Sequence, residues 1–442
     1  MLSKWKRSAL GANVPHDKRT ANMATVTMPL PEKIILPMQQ HIGAPCTPAV
    51  KKGDMVFVGS VVGIAGGFVG AAIHSGVSGT VEAIDTVLAS IGRKVPAVVI
   101  RPDGNQTPDP ACVPPQVTDH KSLIAAVQAC GLVGLGGAGF PTAVKLSPRN
   151  LDKIDTLVIN GAECEPYITS DNREFLECSE SVMRGIAAVR QHLGIKKVII
   201  GIERNKPEAI DLMFSLVKND PDYSVLPLAS RYPQGAEKML IERATRREVP
   251  RGGLPSDVGV IVMNVTTVST LGKYLTTGMP LTKKRLTVDG DAISSPKNVE
   301  VILGTPIADV LDFCGVKDNV AKILMGGPMM GTAVADPASP VLKQNNALVA
   351  FGPQMASSPE PGPCIRCGSC INACPMGLSP VEIAGAWGRN DAGMLNSLMV
   401  DLYIGCGTCS FVCPAKRPVT QTMNLAKGVL AKEKAKKNGG KK

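Results

Sequence analysis

Aromatic residues are scarce in this chain and make up 3% of its 442 residues. Proteins that bind single-stranded nucleic acid without sequence preference need exposed rings on which bases stack, so we do not expect that class. The apolar stretch of a secretory signal peptide is also missing after the basic start at residues 1–7. We therefore expect a cytoplasmic protein whose thirteen cysteines stay reduced and bind metals rather than form disulfides.

We expect no membrane-spanning helix either, although one uncharged run is long enough to suggest it. The run from Met55 to Ile73 counts nineteen residues, about the length of a spanning helix. It contains five glycines and follows the turn-like sequence of residues 51–54. Short strands separated by glycine turns explain this pattern better than a membrane helix.

Acidic residues are outnumbered by basic residues, which gives a formal net charge of +11. A basic protein often binds nucleic acid, but residues 427–442 alone hold seven lysines and one glutamate, more than half of the excess. A run of this composition buries little apolar surface, so we expect residues 427–442 to be solvated and mobile. Weak attraction of these lysines to anionic lipid headgroups is the alternative.

The remaining sequence divides into sections with different hydrophobic patterns. Short apolar segments with glycine turns indicate β-strands over residues 28–101. From residue 122, helical periods alternate with short apolar runs, which indicates an α/β domain to about residue 250. A strand at residues 259–264 begins a smaller α+β unit. Within these two sections we expect helices at 122–130, 177–193 and 307–314, and strands at 156–159, 197–200, 286–290 and 299–303.

Thiol ligands for a metal are concentrated near the carboxyl terminus. Cys364, Cys367, Cys370 and Cys374 are followed by Pro375, in the spacing of the bacterial ferredoxin-type run. Three thiolates separated by two residues wrap one face of a cubane cluster, and the fourth leaves in a direction that favours a partner cluster. Zinc is the competing metal, but its sites usually pair two separate CxxC units. The run therefore predicts an iron–sulfur cluster.

A second run of the same type is incomplete. Cys406, Cys409 and Cys413 have the expected spacing, but Tyr403 occupies the position of the first cysteine. If the fourth cysteine of each run ligates the other cluster, the two ligand sets are Cys364, Cys367, Cys370 and Cys413, and Cys374, Cys406 and Cys409. The second site then holds a three-iron cluster, a four-iron cluster with an oxygen ligand from Asp401 or Tyr403, or none. We expect an intact but labile cluster there.

A glycine-rich string lies between the first helix and the first strand of the α/β section. Residues 134–139 fit the dinucleotide-binding pattern G-x-G-x-x-G, but a helix precedes them, which argues against a Rossmann fingerprint. The string still offers amides that can approach a phosphate, a stacking ring and a cation. The residues concerned are Gly134, Gly136, Gly137, Gly139, Phe140 and Lys145. A tight turn between helix and strand is the alternative.

Two carboxylates follow the strand at residues 156–159, on a loop that carries Asn160, Glu163 and Glu165. Open α/β folds bind ligands at the carboxyl ends of their strands. Carboxylates near a ribose accept hydrogen bonds from its hydroxyls and repel a 2′-phosphate, so this loop favours NADH over NADPH. A solvated acidic loop is the alternative.

Four strings in a fixed order carry a resemblance to a known family: residues 134–145, 160–166, 232–237 and 263–267. They resemble successive elements of the flavin-bearing, NADH-oxidising subunit of respiratory complex I. They are more similar still to the C subunit of the Rnf complexes, which are membrane-associated ferredoxin:NAD⁺ oxidoreductases. The resemblance covers roughly residues 28–420, and several independent strings in the same order make it specific.

The resemblance implies a multidomain α/β and α+β protein. Its parts are a barrel-sandwich domain, a complex-I-like flavin/NADH α/β domain, a β-grasp domain and a ferredoxin-like helical domain with two clusters. With the flanking segments, the expected divisions are an N-terminal extension (1–27), the barrel-sandwich domain (28–101), a linker (102–119), the FMN/NADH domain (120–255), the β-grasp domain (256–351), a linker (352–363), the ferredoxin-type domain (364–420) and the basic tail (421–442).

The resemblance also implies roles for individual residues. The implied FMN and nucleotide contacts are Gly134, Gly136, Gly137, Gly139, Phe140, Lys145, Asn160, Gly235, Glu237 and Asn264, with Glu163 and Glu165 as the catalytic pair beside flavin and nicotinamide. Ala162 and Ala236 depart from the pattern, because the complex I relative has an aspartate and a glutamate there. The turn at residues 77–79 lacks a lysine for lipoate or biotin, so the barrel-sandwich domain is expected to be a docking module.

The implied activity is hydride exchange between NAD(H) and FMN, followed by one-electron transfer through two [4Fe–4S] clusters. Implied partners are a ferredoxin-like cluster subunit and membrane subunits of a cation-translocating complex, with this chain on the cytoplasmic face of the inner membrane. One alternative is a soluble NADH-dependent flavoprotein reductase similar to the cobalamin reductases, which usually begin at the flavin domain. Another is a non-enzymatic iron–sulfur relay, which Ala162, Ala236 and Tyr403 support.

Overall fold

The computed structural model describes residues 11–88 and 94–439. The basic start at residues 1–7 and the last three residues of the lysine-rich tail lie outside this part of the chain. Within the described ranges, no helix is both long and apolar enough to cross a membrane.

Most strands of the amino-terminal section are two to four residues long, and all but the first form two antiparallel sheets. The strands up to residue 102 are β1 (Val26–Thr27), β2 (Ile34–Pro37), β3 (Thr47–Pro48), β4 (Met55–Val56), β5 (Val61–Ile64), β6 (Ile73–His74), β7 (Gly79–Leu88) and β8 (Lys94–Pro102). One sheet has the order β2-β8-β7-β4 and the other β3-β5-β6. The uncharged run at residues 55–73 therefore forms short strands, as its glycines predict.

A four-stranded parallel sheet with helices follows. Its elements are α1 (His120–Ala129), α2 (Thr142–Lys145), β9 (Thr156–Gly161), α3 (Ser170–Glu177), α4 (Ser179–Leu193), β10 (Lys197–Glu203), α5 (Pro207–Val217), β11 (Tyr223–Leu228), α6 (Glu237–Thr245), β12 (Val260–Asn264) and α7 (Val265–Thr277), with short 3₁₀ helices at Leu151–Lys153 and Pro255–Val258. The sheet order is β11-β10-β9-β12. Strand order thus reverses between β9 and β12, which is where open α/β sheets bind ligands.

Two features of this section differ from the sequence-based expectation. The helix predicted at 177–193 begins at Ser179, because Cys178 adopts φ −131° and ψ 26° and separates α3 from α4. The strand predicted to begin the α+β unit, β12, instead pairs in parallel with β9. It therefore extends the α/β sheet and brings its last residue, Asn264, beside Asn160.

The next section forms a mixed six-stranded sheet. Its elements are β13 (Lys283–Asp289), β14 (Lys297–Ile302), α8 (Ile307–Phe313), β15 (Lys322–Met325), β16 (Thr332–Ala333) and β17 (Ala347–Phe351). The sheet order is β1-β14-β13-β17-β15-β16, with β1 parallel to β14. Strand β1 is therefore built into this sheet rather than into the barrel-sandwich sheets.

The carboxyl-terminal section is helical. Its elements are α9 (Pro353–Ala356), α10 (Ser369–Asn372), α11 (Pro380–Gly388), α12 (Ala392–Ser397), a 3₁₀ helix (Val400–Leu402), α13 (Thr408–Phe411) and α14 (Val419–Gly439). The two cysteine runs repeat one local structure, because Gly368 (φ 76°) and Gly407 (φ 78°) each precede a one-turn helix. Glycine suits both positions, since other residues rarely adopt positive φ.

The described part of the lysine-rich run, residues 427–439, belongs to helix α14, and its residues 431–437 are mostly exposed, as expected of a solvated run. Met423, Ala426 and Leu430 lie on one face of this helix and are buried against the other helices of the section. On a neighbouring face, Lys427 Nζ donates to the Tyr403 carbonyl at 2.7 Å. An apolar stripe hidden among lysines therefore anchors the helix.

This anchoring predicts unequal effects for two leucines of α14. Leu430 is 4% exposed and Leu425 is 54% exposed. We expect Leu430→Ala to lower the free energy of unfolding of this section by about 2–4 kcal/mol, and Leu425→Ala to change it by less than about 0.5 kcal/mol. Denaturant unfolding, followed by Trp387 fluorescence in a Trp5→Phe background, measures both. Equal effects would contradict the helix packing.

Candidate functional site

The carboxyl ends of β9 and β12 form the base of a crevice at the reversal point of the parallel sheet. Asn160 lies near the end of β9, and its Nδ2 donates to the Gly235 carbonyl at 2.9 Å. Asn264 ends β12, and its Nδ2 lies 3.5 Å from the Asn160 carbonyl. Three residues predicted from separate strings are therefore neighbours.

The glycine-rich string forms a compact loop beside this crevice. Gly134 N donates to the Phe140 carbonyl at 2.8 Å, and Gly139 N donates to the Gly134 carbonyl at 3.0 Å. Residues 136–138 at the tip are exposed, whereas Phe140 is half-buried. The loop therefore presents backbone at its tip and a ring at its end.

Two glycines of the loop differ in what surrounds them. A Cβ on Gly136 would lie 2.9 Å from Asn264 Nδ2, so a side chain there would displace that amide. A Cβ on Gly137, which has φ 110°, would have no atom within 4 Å. The backbone at Gly137 therefore borders open space, while Gly136 closes the loop onto the end of β12.

Lys145 and Glu237 form an ion pair near the same crevice. Lys145 Nζ lies 2.8 Å from Glu237 Oε1 and also donates to the Val262 carbonyl at 2.9 Å. Both side chains keep partial exposure, 32% for Lys145 and 41% for Glu237. The cation predicted from the sequence is thus held in place by a carboxylate that was predicted separately.

Glu163 is buried, and its carboxylate binds the first turn of α3. Its Oε1 accepts from Asp171 N at 2.7 Å, and its Oε2 accepts from Asn172 N at 3.4 Å. A carboxylate at a helix amino terminus satisfies free N–H groups and the helix dipole. The side chain predicted to be catalytic is therefore engaged by backbone within its own domain.

Glu165 is engaged in a similar way by a different section of the chain. Its two carboxylate oxygens accept from Met329 N at 3.0 Å and Met330 N at 2.8 Å, in the turn between β15 and β16. Burial raises the pKa of Glu165 to about 7, against the lowering effect of these hydrogen bonds. This contact ties the acidic loop to the mixed sheet.

Asp171 and Lys18 also belong to this region and were missed by sequence reasoning. Asp171 accepts from Asn264 Nδ2 at 2.7 Å and from Thr266 Oγ1 at 2.8 Å, so it orients the amide that faces Gly136. Burial and the neighbouring Glu163 raise the pKa of Asp171 to about 6. No spacing rule marks either residue, because the partners that each contacts at the site are distant in sequence.

Three thiols of the incomplete cysteine set gather around one cavity in the helical section. The cavity is lined by Cys374, Cys406, Cys409 and Tyr403, together with Pro375, Met376, Pro380, Ile404, Thr408 and Met423. All three thiols are buried. Tyr403 is also buried there, and its hydroxyl donates to the Thr420 carbonyl at 3.3 Å. Asp401 instead pairs with Arg251 and Lys434.

The other four thiols lie nearer the surface. Burial raises the pKa of Cys370, and the nearby Cys413 and Cys364 thiols raise it further. Cys364 and Cys367 are exposed. Across residues 11–88 and 94–439, no three His, Cys, Asp or Glu side chains are grouped closely enough to hold a single metal ion.

Three domain families match this chain. The RnfC barrel sandwich hybrid domain matches residues 6–105, the Nuo51 FMN-binding domain matches residues 127–273, and the SLBB domain matches residues 285–333. These matches confirm the barrel-sandwich domain and the complex-I-like flavin domain predicted from the sequence.

Full-length relatives match as well. The C subunit of the Na⁺-translocating ferredoxin:NAD⁺ oxidoreductase complex of Acetobacterium woodii is 40% identical over 437 residues, which cover 97% of this chain and 98% of the relative. The C subunit of the proton-translocating complex of Clostridium ljungdahlii is 40% identical, covering 85% and 83%. The C subunit of an ion-translocating oxidoreductase complex of Rhodobacter capsulatus is 37% identical, covering 96% and 83%.

Among solved structures, a chain of an NAD⁺-reducing [NiFe]-hydrogenase overlaps 71% of this chain and 63% of its own length. The TM-score is 0.49 and the identity is 17%. This likeness is too distant to bear on function.

The buried Glu165 predicts a pH-dependent stability. Between about pH 4.5 and pH 7 the folded chain binds a proton at Glu165 that the unfolded chain has lost, so the free energy of unfolding falls as pH rises. Relative to Glu165→Gln, the native chain should lose about 3 kcal/mol between pH 4.5 and pH 8. Denaturant unfolding of both proteins across this range measures the difference, and parallel curves would rule it out.

Proposed function

This chain belongs to the family of C subunits of ion-translocating ferredoxin:NAD⁺ oxidoreductase complexes, and we propose that it exchanges a hydride between NAD(H) and FMN and passes electrons singly through iron–sulfur clusters. FMN, when bound, supplies the conversion between a two-electron hydride and single electrons. The observation that carries the proposal is the glycine loop closed onto Asn264 at the reversal point of the sheet.

The crevice residues suit a flavin nucleotide. The exposed backbone of residues 136–138 offers N–H groups to a phosphate, and the free space at Gly137 leaves room for close approach. Lys145, held by Glu237, supplies a cation at the same place. Gly134 and Gly139 close the loop, and Phe140 at its end offers a ring face to the nucleotide.

The polar residues at the strand ends fix the pocket. Asn160 is held by Gly235, and Asn264 by Asp171, so both amides have defined orientations. Glu163 and Glu165 act as positioning residues, because their carboxylates fix the acidic loop to backbone N–H groups of α3 and of the turn after β15. The loop's remaining backbone and the two asparagines orient the flavin and nicotinamide rings for transfer.

The two sets of cysteines suit two clusters. Each thiolate of a cubane binds a different iron, so its ligands lie farther apart than the ligands of a single ion. Cys374, Cys406 and Cys409 surround one cavity and would hold the second cluster, with Tyr403 at the fourth position. The first cluster would be held by Cys364, Cys367, Cys370 and Cys413.

Burial sets the order of the two clusters along the electron path. The thiols of the second site are buried. This site adjoins the α/β section, because Cys406 and Tyr232 belong to one apolar cluster. The first site has exposed Cys364 and Cys367. We therefore place the second site next to the flavin and the first site next to an external partner, since solvent-exposed ligands leave a cluster accessible to another protein.

The wider setting follows from the family. We propose that the chain works with a ferredoxin-like cluster subunit and membrane subunits of a cation-translocating complex. It would attach peripherally at the cytoplasmic face of the inner membrane through those subunits. Within the chain, the mixed sheet would act as a β-grasp domain, the helical section as a ferredoxin-like domain, and the domain bounds would follow the expected divisions.

Reconstitution of the full chain with FMN, iron and sulfide under anaerobic conditions tests the function. We expect NADH to bleach the flavin absorbance and to produce an electron paramagnetic resonance signal from a reduced cluster. Gly136→Ala should weaken FMN binding at least tenfold, about 1.4 kcal/mol, because its Cβ displaces Asn264.

Gly67→Ala is the matched control, since a Cβ at Gly67 has no atom within 4 Å. It should leave FMN affinity unchanged. If the native chain binds no FMN, or NADH leaves the flavin oxidised while dithionite reduces the clusters, the oxidoreductase proposal fails and a simple relay takes its place.

The second cluster site gives a separate prediction. Tyr403→Cys restores the four-cysteine ligand set, so we expect a higher iron content per chain and slower cluster loss in air. Cys406→Ala should lose the second cluster, whereas Cys314→Ala, at a buried cysteine of the mixed-sheet section, should keep both. Iron and sulfide analysis with spin counting measures these effects. Equal iron content together with equal rates of cluster loss in the native and Tyr403→Cys proteins would contradict the assigned ligand set.

A further inference from the structure

Tyr232 lies where three parts of the chain meet. Its backbone pairs with Ala12 of the amino-terminal segment, through N–H···O contacts of 2.8 and 3.0 Å. Its side chain is 1% exposed and belongs to a small apolar cluster with Ala12, Val14 and Cys406. Cys164 of the acidic loop also packs against this cluster. The ring thus lies between the flavin-binding section and the second cysteine site.

The hydroxyl of Tyr232 is buried without a hydrogen-bond partner among the described residues. Burying an unpaired hydroxyl is unfavourable, so such a group in a native fold calls for an explanation. Ionisable groups that act on it electrostatically are Glu165 and Cys164 on the acidic loop, and Cys406 and Tyr403 on the cysteine module. A phenol is neutral at pH 7, so it can donate a hydrogen bond.

The hydroxyl is hydrogen-bonded to neither Glu165 nor Cys406 Sγ in the described structure. The Glu165 oxygens already accept from Met329 N and Met330 N. Cys406 is the neighbour whose acceptor strength increases when a cluster binds, because its sulfur becomes a thiolate when it ligates iron.

We infer that Tyr232 donates a hydrogen bond from its hydroxyl to the Cys406 sulfur once that sulfur ligates the second cluster, and so raises the reduction potential of that cluster. The inference rests on the proposed cluster at Cys374, Cys406 and Cys409. Reduction adds negative charge to a cluster, and a donor to its sulfur stabilises the reduced form more than the oxidised form. Tyr232 is a positioning and tuning residue supplied by a different section of the chain.

The location has a consequence for electron transfer. The donor is carried by the section that binds flavin, while the acceptor is carried by the cysteine module. The potential of the second cluster then depends on the contact between the two sections. Separation of the cysteine module would lower that potential and make the cluster a poorer acceptor from flavin.

Redox titration of the reconstituted full chain tests the inference. Tyr232→Phe keeps the ring and removes the hydroxyl. We expect it to shift the midpoint potential of one cluster signal downward by about 59 mV, a tenfold change in a one-electron equilibrium, while FMN content and the other cluster signal stay unchanged. Tyr274→Phe, at a tyrosine of α7 in the same section, is the matched control and should shift neither signal.

A second readout does not depend on potentials. In D₂O, pulsed electron paramagnetic resonance of the reduced native chain should show exchangeable deuterons coupled to the second cluster. Tyr232→Phe should lose one of these couplings, and Tyr274→Phe should keep it.

The outcomes separate this inference from the proposed function. Two cluster signals in the native chain with no shift and no lost coupling in Tyr232→Phe would overturn the inference alone. A shift confined to the flavin potential would also overturn it, because the hydroxyl would then serve the flavin. Absence of a second cluster signal in the native chain would overturn both the proposed second cluster and the inference.

Discussion

One buried ammonium group holds the loop on which the candidate site depends. Lys18 Nζ donates to the carbonyls of Glu163 at 2.9 Å and Glu165 at 2.7 Å, and also to that of Ile168. Burial lowers the pKa of Lys18 to about 8, yet at neutral pH the ammonium keeps three acceptors, which a buried cation requires. Because the three carbonyls must converge on one nitrogen, the acidic loop has a single path, and Glu163 and Glu165 leave it in fixed directions.

The amino-terminal segment that carries Lys18 also joins the sections around this loop. Ala12 pairs with Tyr232 in the α/β section, and β1 adds a strand to the mixed sheet. Glu165 then links the loop to the turn at Met329. The crevice is therefore enclosed by several long-range contacts, which position rings more rigidly than a single surface loop can. Such rigidity suits hydride exchange, where small displacements between two rings reduce the rate strongly.

The two cysteine runs show how one local structure is used in two environments. Gly368 and Gly407 give each run the same glycine turn and one-turn helix. The first run keeps exposed thiols, whereas the second is buried against the α/β section through Cys406. The missing cysteine at Tyr403 thus falls at the more protected site. Protection from solvent favours retention of a cluster with fewer thiolate ligands, because loss of iron requires access by water or oxidant.

Short-range chemistry was readable from the sequence, because spacing along the chain fixes it. The cysteine spacing, the glycine string and the glycine-punctuated strands are all local, so they predicted two ligand sets and a phosphate-binding loop and identified the first fold section. The buried stripe of α14, with Leu430, was also local but was masked by lysines. Tertiary structure alone decided which groups the carboxylates of Glu163 and Glu165 meet, that β12 joins the parallel sheet, and that Lys18 and Tyr232 reach the site. Apart from Glu163 and the nearby start of α3, these partners lie far apart in sequence, and only the closure of long loops in the folded core brings them together.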